Sequence, residues 1–583
     1  MKCRLFLPLV SCTLLVACGE EPVSTPPPAT QTNSAASLSE ARPVTDMERI
    51  LANITELSSD AYGGREPMSE GEKLTLDFIE TRFREMGLKA MFGESYLQPV
   101  ELVSIETDPA TAHMTFHVNG RDRLLVYGDE MVLGTMRVVP ESRVENSEVV
   151  FVGYGTVAPE YGWNDYADVD VKGKTVLILV NDPGFATQDP ALFKGNTMTY
   201  YGRWTYKYEE AARQGAAAAL IIHDTEPAAY GWDVVRNSWN GPKFHLAQAD
   251  DNMNRAPVES WIQKSVAEEL AAAAGYDLAM LQQQALSPEF KAIDLGSSMD
   301  ATVHNRIKRS QSYNIGAMLP GSARPEELFV YMAHWDHIGT DPNVGEGEDG
   351  IYNGAVDNAS GIAALLELAQ SFAALPRAPG RSVGFLAVTA EESGLLGSAK
   401  YAENPALPMS QTVGGINMDS MHVYGPTRDV VVVGFGSSEL EEVLKDKAAR
   451  QGRIVKQEEH PERGGYYRSD HFNFARKGVP MLYAESGSDH AELGPGYIEA
   501  KNEEFLQNRY HSPLDEIQED WDFRGLVQDI ELWFDVGLAV ADSDNWPQWY
   551  EGNEFRAIRE QSRNASADQN ALTPVSSRPT TNW

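Results

Sequence analysis

The spacing of hydrophobic residues changes along this chain and predicts a different kind of structure in each part. Between Met47 and Leu57, hydrophobic residues recur every three or four positions, which is typical of an amphipathic helix. A second helical pattern runs from Ser69 to Met86, and Gly87 follows it in the position of a glycine that ends a helix. The folded part of the chain is therefore expected to begin with two helices.

Short hydrophobic runs replace the helical spacing between about residues 128 and 299. Val149–Val152 and Thr175–Val180 are two of these runs, and turns rich in Gly, Pro and Asp separate them, as is typical of strands. One helix, from Tyr206 to Gln214, interrupts the runs. We expect a β-rich domain here, inserted into a larger domain.

Hydrophobic strands alternate with helices from about Tyr313 to Ala541. The predicted strands are 328–333, 382–389, 413–417 and 430–433, and the predicted helices are 358–375 and 398–402. This alternation predicts an α/β fold with a mostly parallel central sheet flanked by helices on both faces. In such folds, functional residues lie at the carboxyl ends of the strands.

The composition is that of a globular protein with more than one domain. Of its 583 residues, 42% are hydrophobic and 23% are charged. The formal net charge of −37 argues against nucleic acid as a partner, because phosphate binding needs clustered Lys and Arg.

The first residues predict export from the cell. Two basic residues precede a hydrophobic run from Leu5 to Ala17 that is too short to span a bilayer, as in a signal peptide. The run ends in the sequence LVAC, which resembles the lipobox of bacterial lipoproteins and implies a lipid anchor on Cys18. A signal peptide without an anchor is the alternative. All three cysteines lie in this leader, so the remaining chain has no disulfide and no thiol nucleophile.

These patterns divide the chain into six segments. We expect a lipoprotein signal peptide at 1–18, a flexible tether at 19–45, the first part of the larger domain at 46–127, the inserted domain at 128–299, the main part of the larger domain at 300–545 and a polar C-terminal tail at 546–583. The tail is predicted to be disordered from about Arg563. The protein is then expected in the bacterial cell envelope, facing the periplasm or the exterior.

Acidic and imidazole side chains follow the ends of several predicted strands. The segments YMAHWDHIG, GAVDNASG, AVTAEESGLLGS, INMDS and NRYHSPLDE bring these side chains to one crevice: His334, Asp336, Asp357, Glu391, Glu392, Asp419 and His511. Zinc binds His nitrogen and carboxylate oxygen when no thiolate is available. Five such ligands fit two zinc ions if one carboxylate is shared between them.

This constellation resembles the family of co-catalytic zinc aminopeptidases and glutamate carboxypeptidases over about residues 315–540. The resemblance implies two Zn²⁺ ions per chain and five ligands. It implies that His334 and His511 are the imidazole ligands, that Asp357 bridges the two ions, that Glu392 is the terminal ligand of one ion and that Asp419 is the carboxylate of the other. Taken singly, each motif has a structural alternative, such as a helix N-cap for Asp357. Their occurrence together and in the family's order favours the metal site.

The same resemblance implies the catalytic residues. Glu391 would take a proton from a water molecule that the metal ions activate and would pass it to the leaving amine, while Asp336 would orient His334. Asp470 and His471 lie in a segment similar to the family's SDH sequence and are predicted to bind substrate, although a structural Asp-His pair would look the same. His337 is predicted to be a neighbour of His334 and not a ligand, since alternate residues of a strand face opposite sides.

The inserted domain has a resemblance of its own. The sequences FVGYG, DYADVDVKGKTVLIL and KYEEAARQGAAAALII are similar to those of the protease-associated domain. An unrelated α/β insertion is the alternative.

Together, these observations predict an enzyme, a zinc-dependent metallo-aminopeptidase that hydrolyses the N-terminal residues of peptides. The first alternative is a carboxypeptidase or dipeptidase of the same superfamily, in which Arg463, Arg468 or Arg509 would anchor a substrate carboxylate. A catalytically inactive binding protein on the same fold would have lost metal ligands, and this chain has lost none. Glutaminyl cyclisation on a related fold uses a single metal, which the five-ligand set argues against.

Overall fold

The structure, a computed structural model, describes residues 38, 43–345 and 347–572. The predicted signal peptide, Cys18 and most of the predicted tether lie outside the described residues. Among the helices of the described ranges, none is long and apolar enough to cross a membrane.

Two large β-sheets with helices packed around them form most of the described chain, and three two-stranded sheets are smaller. Its α-helices are Met47–Leu57, Glu70–Glu85, Pro183–Thr187, Trp204–Arg213, Thr225–Ala228, Trp232–Ser238, Lys264–Ala273, Leu278–Gln284, Gly361–Ala373, Leu396–Glu403, Leu440–Arg450, His471–Ala475, Tyr497–Asn508, Arg524–Ala541 and Arg556–Leu572. Both helices predicted at the start of the folded part are present.

The main sheet has four adjacent parallel strands at its centre. In spatial order they are Arg381–Val388, Arg324–His334, Thr412–Asn417 and Met481–Ser486. One side is extended by the antiparallel strands Ile293–Leu319 and Leu97–Thr107, and the other side by the pair Asp429–Val432 and Ile454–Gln457. The predicted α/β fold with a mostly parallel central sheet is confirmed.

Helices cover both faces of the main sheet because residues along its strands alternate between two cores. Tyr331 is buried in a core that it shares with residues of Met47–Leu57, Gly361–Ala373 and Arg524–Ala541. Met332, the next residue, is buried on the opposite face against two shorter helices. This burial on both faces explains why these strands read as continuous hydrophobic runs.

The second sheet contains the middle of the chain. Its parallel strands are Glu141–Phe151, Thr175–Leu179, Ala218–His223 and Val258–Gln263, and the antiparallel strand Met131–Gly134 forms one edge. The hairpin of His113–Val118 and Arg121–Leu124 adjoins it. Leu177 and Val176 face separate cores on its two sides. The described chain thus has a second folded core next to that of the main sheet.

One long strand joins the two sheets. Ile293–Leu319 is 27 residues long. Its first part pairs with Glu141–Phe151 in the second sheet, and its next part pairs with Leu97–Thr107 in the main sheet. A salt bridge of 2.8 Å between Arg476 Nη2 and Glu209 Oε2 also crosses between the two parts. The second sheet is therefore fixed beside the main sheet, and a cleft lies between them.

Part of the predicted C-terminal tail is folded. Trp549 and Phe555 are buried, and the helix Arg556–Leu572 follows them. The prediction of disorder from Arg563 is therefore wrong as far as Leu572. The polar composition of this segment is that of a surface helix held by a few buried residues, among them Arg559.

Candidate metal centre

The carboxyl ends of three neighbouring parallel strands carry most of the predicted site. His334 is the last residue of its strand, Glu391 and Glu392 follow the strand Arg381–Val388, and Asp419 follows Thr412–Asn417. Because these strands are adjacent, their ends meet at one edge of the sheet.

Two other loops complete the site. Asp357 lies in the turn Ala355–Ser360, which precedes the helix Gly361–Ala373 and has non-helical backbone angles at Asp357 and Asn358. The predicted helix that began at Asn358 therefore begins at Gly361. His511 follows the helix Tyr497–Asn508.

The structure brings the five predicted ligands together in two groups that share Asp357. In one group, His334 Nε2 lies 3.3 Å from Asp357 Oδ1 and 3.2 Å from Asp419 Oδ1. In the other group, His511 Nε2 lies 3.3 Å from Asp357 Oδ2 and 3.1 Å from Glu392 Oε2. Each oxygen of Asp357 thus faces a different imidazole, which is the arrangement a bridging carboxylate requires.

These distances fit zinc as the ion. Nitrogen and oxygen atoms bound about 2.0–2.2 Å from one zinc ion in tetrahedral geometry lie about 3.3–3.6 Å from one another. The four contacts, at 3.1–3.3 Å, are close to that separation. The donor set of imidazoles and carboxylates is also the one that zinc takes in hydrolytic sites without cysteine.

The side chain of His337 also lies at the site, so the prediction that it faces away from the crevice is wrong. Its Nδ1 lies 2.7 Å from Glu392 Oε1, the oxygen that does not face His511. The alternation of strand residues does not apply here, since the strand ends at His334. His337 therefore fixes the orientation of the Glu392 carboxylate.

Asp336 is placed beside His334 but contacts it in an unexpected way. His334 Nδ1 donates a hydrogen bond to the main-chain carbonyl of Asp336 at 3.1 Å, whereas the nearest carboxylate oxygen of Asp336 is 3.9 Å away. That carboxylate accepts a hydrogen bond from the N–H of Glu391 at 3.1 Å. Asp336 thus links the loop that carries His334 to the loop that carries Glu391.

Asp470 and His471 are fully buried near the site. The His471 ring packs between Tyr466 and Tyr483, with centroid distances of 4.5 and 4.6 Å, and burial lowers its pKa to about 3. Such packing is that of a neutral core residue and not of a group that contacts substrate. The predicted binding role is therefore not supported for His471.

Ser469, which the sequence analysis did not identify, touches a predicted ligand. Its hydroxyl donates to Asp419 Oδ2 at 2.6 Å and accepts from Asn417 Nδ2 at 2.7 Å. These bonds hold the oxygen of Asp419 that does not face His334. Only its position immediately before Asp470 and His471 in the SDH segment could have identified it.

Asn358 and Asp515, also missed, hold the loops in place. The Asn358 side chain donates to the carbonyls of His334 and Met418 and accepts from Ser420 N–H at 3.1 Å. The Asp515 carboxylate accepts from the N–H groups of Val356 and Asp357, each at 3.0 Å. The loop that carries Asp357 is thereby tied to its neighbours on both sides.

The clustered carboxylates attract positive charge. Burial alone would lower the pKa of His511, but Asp357 and Glu392 raise it to about 10. Burial alone would also lower the pKa of His334. Asp419 and Asp357 favour its charged form, and its pKa rises well above the usual value. The same clustered negative charge would favour a bound cation at this site.

Glu391 lines the cleft and is not one of the five predicted metal ligands. A donor atom of its carboxylate lies within 4.8 Å of those of His334 and Glu392. Burial raises its pKa well above the usual value; His334 opposes this rise, and Asp419 and Glu392 add to it. A raised pKa makes a carboxylate a better proton acceptor, as a general base requires.

The cleft between the two sheets opens onto Glu391 and Glu392 and has a volume of about 1420 Å³. Tyr510, which stacks on His511 at 3.9 Å, lines it on the main-sheet side. Residues of the second sheet, such as Glu259 and Trp261, line the other side. The volume is sufficient for a peptide.

Part of the chain is similar in sequence to known proteins. Residues 314–533 match peptidase family M28. The chain is 31% identical to mouse Aminopeptidase NAALADL1 over 142 residues, which cover 23% of this chain and 17% of that protein. It is 37% identical to a Probable zinc metalloprotease of Pyricularia oryzae over 136 residues, which cover 22% of this chain and 26% of that protein.

Among solved structures, the chain resembles an aminopeptidase from Aneurinibacillus sp. strain AM-1. The two are 21% identical, with a TM-score of 0.46 and coverage of 86% of this chain and 95% of that chain. The chain spans only about a quarter or less of the length of the curated relatives it matches.

Replacement of Asp515 by Asn tests the role of its buried carboxylate. The amide places an N–H group against the N–H of Asp357 or Val356, so a buried donor loses its acceptor. We expect the free energy of unfolding to fall by about 1–3 kcal/mol in denaturant titrations. The matched control, Asp520→Asn on the surface, should cost less than about 1 kcal/mol. Equal stability of the Asp515→Asn variant and the unmodified protein would contradict this role.

Proposed function

We propose that the protein is a zinc-dependent peptidase that removes N-terminal residues from peptides, since residues 314–533 match peptidase family M28. One observation carries the proposal. Two groups of candidate metal ligands share Asp357, and Glu391 and Glu392 beside them line a cleft.

Five side chains would bind two metal ions, and a sixth would position one of them. His334, Asp357 and Asp419 would hold one ion, and Asp357, Glu392 and His511 would hold the other. His337 would keep Glu392 in position through its 2.7 Å contact. When bound, two such ions make a water molecule more acidic and polarise the carbonyl group of the bond to be cut.

Glu391 would carry the proton during hydrolysis. Its carboxylate accepts the proton of the attacking water and delivers it to the nitrogen of the leaving amine. The hydrogen bond from its N–H to Asp336 holds the main chain of Glu391 near His334 while this happens. A protein that only binds peptides would have no need for a proton acceptor at this position, and this favours the enzyme over an inactive receptor.

An aminopeptidase must also bind the free amine of its substrate. The carboxylates at the base of the cleft create a negative potential that attracts an ammonium group. The net charge of −37 adds to this potential at a distance.

A carboxypeptidase or dipeptidase is a second candidate, because arginines line the same cleft. Arg468 is exposed there, whereas Arg509 is paired with Glu504 at 3.1 Å. Arg203 lines the cleft from the second sheet, and its Nε has no hydrogen-bond partner within the described ranges. Such groups are able to bind a substrate carboxylate.

Glu391→Gln tests the proton-transfer role. The amide keeps the size of the side chain but accepts no proton, so we expect kcat for a peptide substrate to fall by a factor on the order of 10²–10⁴ while zinc content is unchanged. The matched control, Glu403→Gln, alters another carboxylate of the cleft and should leave kcat unchanged. A Glu391→Gln variant with full activity would refute the assignment, and addition of a chelator to the unmodified protein should abolish turnover.

A library of peptides with free and N-acetylated ends separates the two candidate functions. An aminopeptidase releases single residues from the N-terminus of free peptides and leaves acetylated peptides intact. Chromatography of the products would show which end is cut. If acetylated peptides are cleaved as fast as free ones, the aminopeptidase proposal is wrong and the carboxypeptidase takes its place.

We further propose that the protein is exported and anchored by a lipid on Cys18, although these residues lie outside the described ranges. The leader sequence supports this proposal. Cell fractionation should find the protein with the membranes and the Cys18→Ser variant detached from them. A membrane-free distribution of the unmodified protein would contradict lipid anchoring.

A further inference from the structure

Arg65 is a buried arginine whose guanidinium binds only to the main chain. The side chain is about 1% exposed. Its closest hydrogen bonds go to the carbonyl oxygens of Leu57 at 2.8 Å, Trp335 at 3.0 Å, Asn353 at 2.6 Å and Gly354 at 2.8 Å. A guanidinium stays charged at neutral pH, so a full positive charge is held inside the protein.

Three of these four carbonyls belong to the two loops that carry the first metal ligands, and the fourth, that of Leu57, ends the helix Met47–Leu57. Trp335 lies between His334 and Asp336, and Gly354 lies three residues before Asp357. The carbonyl of Arg65 itself accepts a hydrogen bond from His337 N–H at 3.3 Å. One residue thus holds both loops through its side chain and its main chain.

The backbone of Arg65 is itself in an unusual conformation. Its φ of +49° is in the left-handed region, which a residue with a Cβ adopts unfavourably. Gly63 and Gly64, just before it, share this region, and they allow the sharp turn that directs Arg65 inward. Local structure is therefore shaped around the position of this guanidinium.

Charge gives the same residue a second role. The guanidinium interacts electrostatically with Asp357 and Glu392 of the metal site and with Asp336 and Asp515 beside it. Carboxylates brought together in a buried site repel one another, and this repulsion opposes the arrangement that a metal ion needs. A fixed positive charge among them reduces the repulsion.

We propose that Arg65 is a positioning residue of the metal centre: it fixes the loops of His334 and Asp357 and offsets the repulsion between the ligand carboxylates, so that tight metal binding depends on it. This inference rests on the proposed function, which assigns those residues to the metal. Arg65 does not line the cleft, so it acts through the ligands and not on the substrate.

A matched control comes from Arg559, an arginine with the same kind of environment far along the chain. It is also about 1% exposed, and its guanidinium donates to the main-chain carbonyls of Met409 and Thr412. Thr412 begins its strand, whereas the metal site lies at the other end of the parallel strands. Loss of Arg559 should therefore disturb stability without disturbing the metal.

The test compares Arg65→Met, Arg65→Lys and Arg559→Met with the unmodified protein. The zinc dissociation constant is measured by competition with a chromogenic chelator, and stability is measured by denaturant unfolding of each metal-free protein. We expect Arg65→Met to raise the dissociation constant by a factor on the order of 10–100. Arg65→Lys, which keeps the charge but fewer donors, should lie between, and Arg559→Met should lower stability with an unchanged dissociation constant.

The outcomes distinguish this inference from the function on which it rests. An unchanged dissociation constant in Arg65→Met, at a stability no higher than that of Arg559→Met, would overturn the inference and leave a structural arginine. If Arg65→Met does not fold, unchanged zinc affinity in Arg65→Lys would overturn it in the same way. Failure of the unmodified protein to bind zinc would instead refute the proposed function. At saturating zinc, any remaining loss of peptidase activity in Arg65→Lys should appear in kcat and not in KM, because Arg65 does not line the cleft.

Discussion

The sharing of Asp357 between two imidazoles is the interaction on which the rest of the site depends. One carboxylate oxygen faces His334 and the other faces His511, each at 3.3 Å. Such a carboxylate must be held in one orientation, because a rotation that improves one contact breaks the other. The surrounding structure supplies that restraint through Asp515, which binds the N–H of Asp357, and Asn358, which binds the neighbouring loops.

The arrangement of the two sheets places these residues in one crevice. Parallel strands deliver His334, Glu392 and Asp419 to one edge, since successive crossovers bring each strand back in the same direction. The long strand Ile293–Leu319 then fixes the second sheet beside that edge. Glu391 and Glu392 therefore line a cleft with walls from two parts of the chain.

Much of the fold and the main residues of the site could be predicted from the sequence. Strands buried on both faces read as plain hydrophobic runs, and acidic or imidazole residues directly after them, as at Glu392 and Asp419, point to the edge of the sheet. Prediction failed where a rule was extended past its element. The alternation of strand residues excluded His337, although the strand ends at His334.

Other features could not be predicted, for a different physical reason. Arg65 and Asp515 act through hydrogen bonds to main-chain groups, and such groups are present in every residue, so residue type and spacing do not show the partner. The carbonyl of Asp336, which holds His334 in place of the predicted carboxylate, belongs to the same class. The folded end of the chain was missed because a helix with few buried residues has the composition of a tail.

The number of metal ions that the chain binds tests the central claim most directly. Metal-free protein is titrated with zinc in a calorimeter, and the bound metal is counted by elemental analysis after gel filtration. The geometry predicts two zinc ions per chain, and it predicts that Asp357→Asn weakens the binding of both. One ion per chain, or two ions bound by Asp357→Asn as tightly as by the unmodified protein, would contradict a shared carboxylate at the centre of this site.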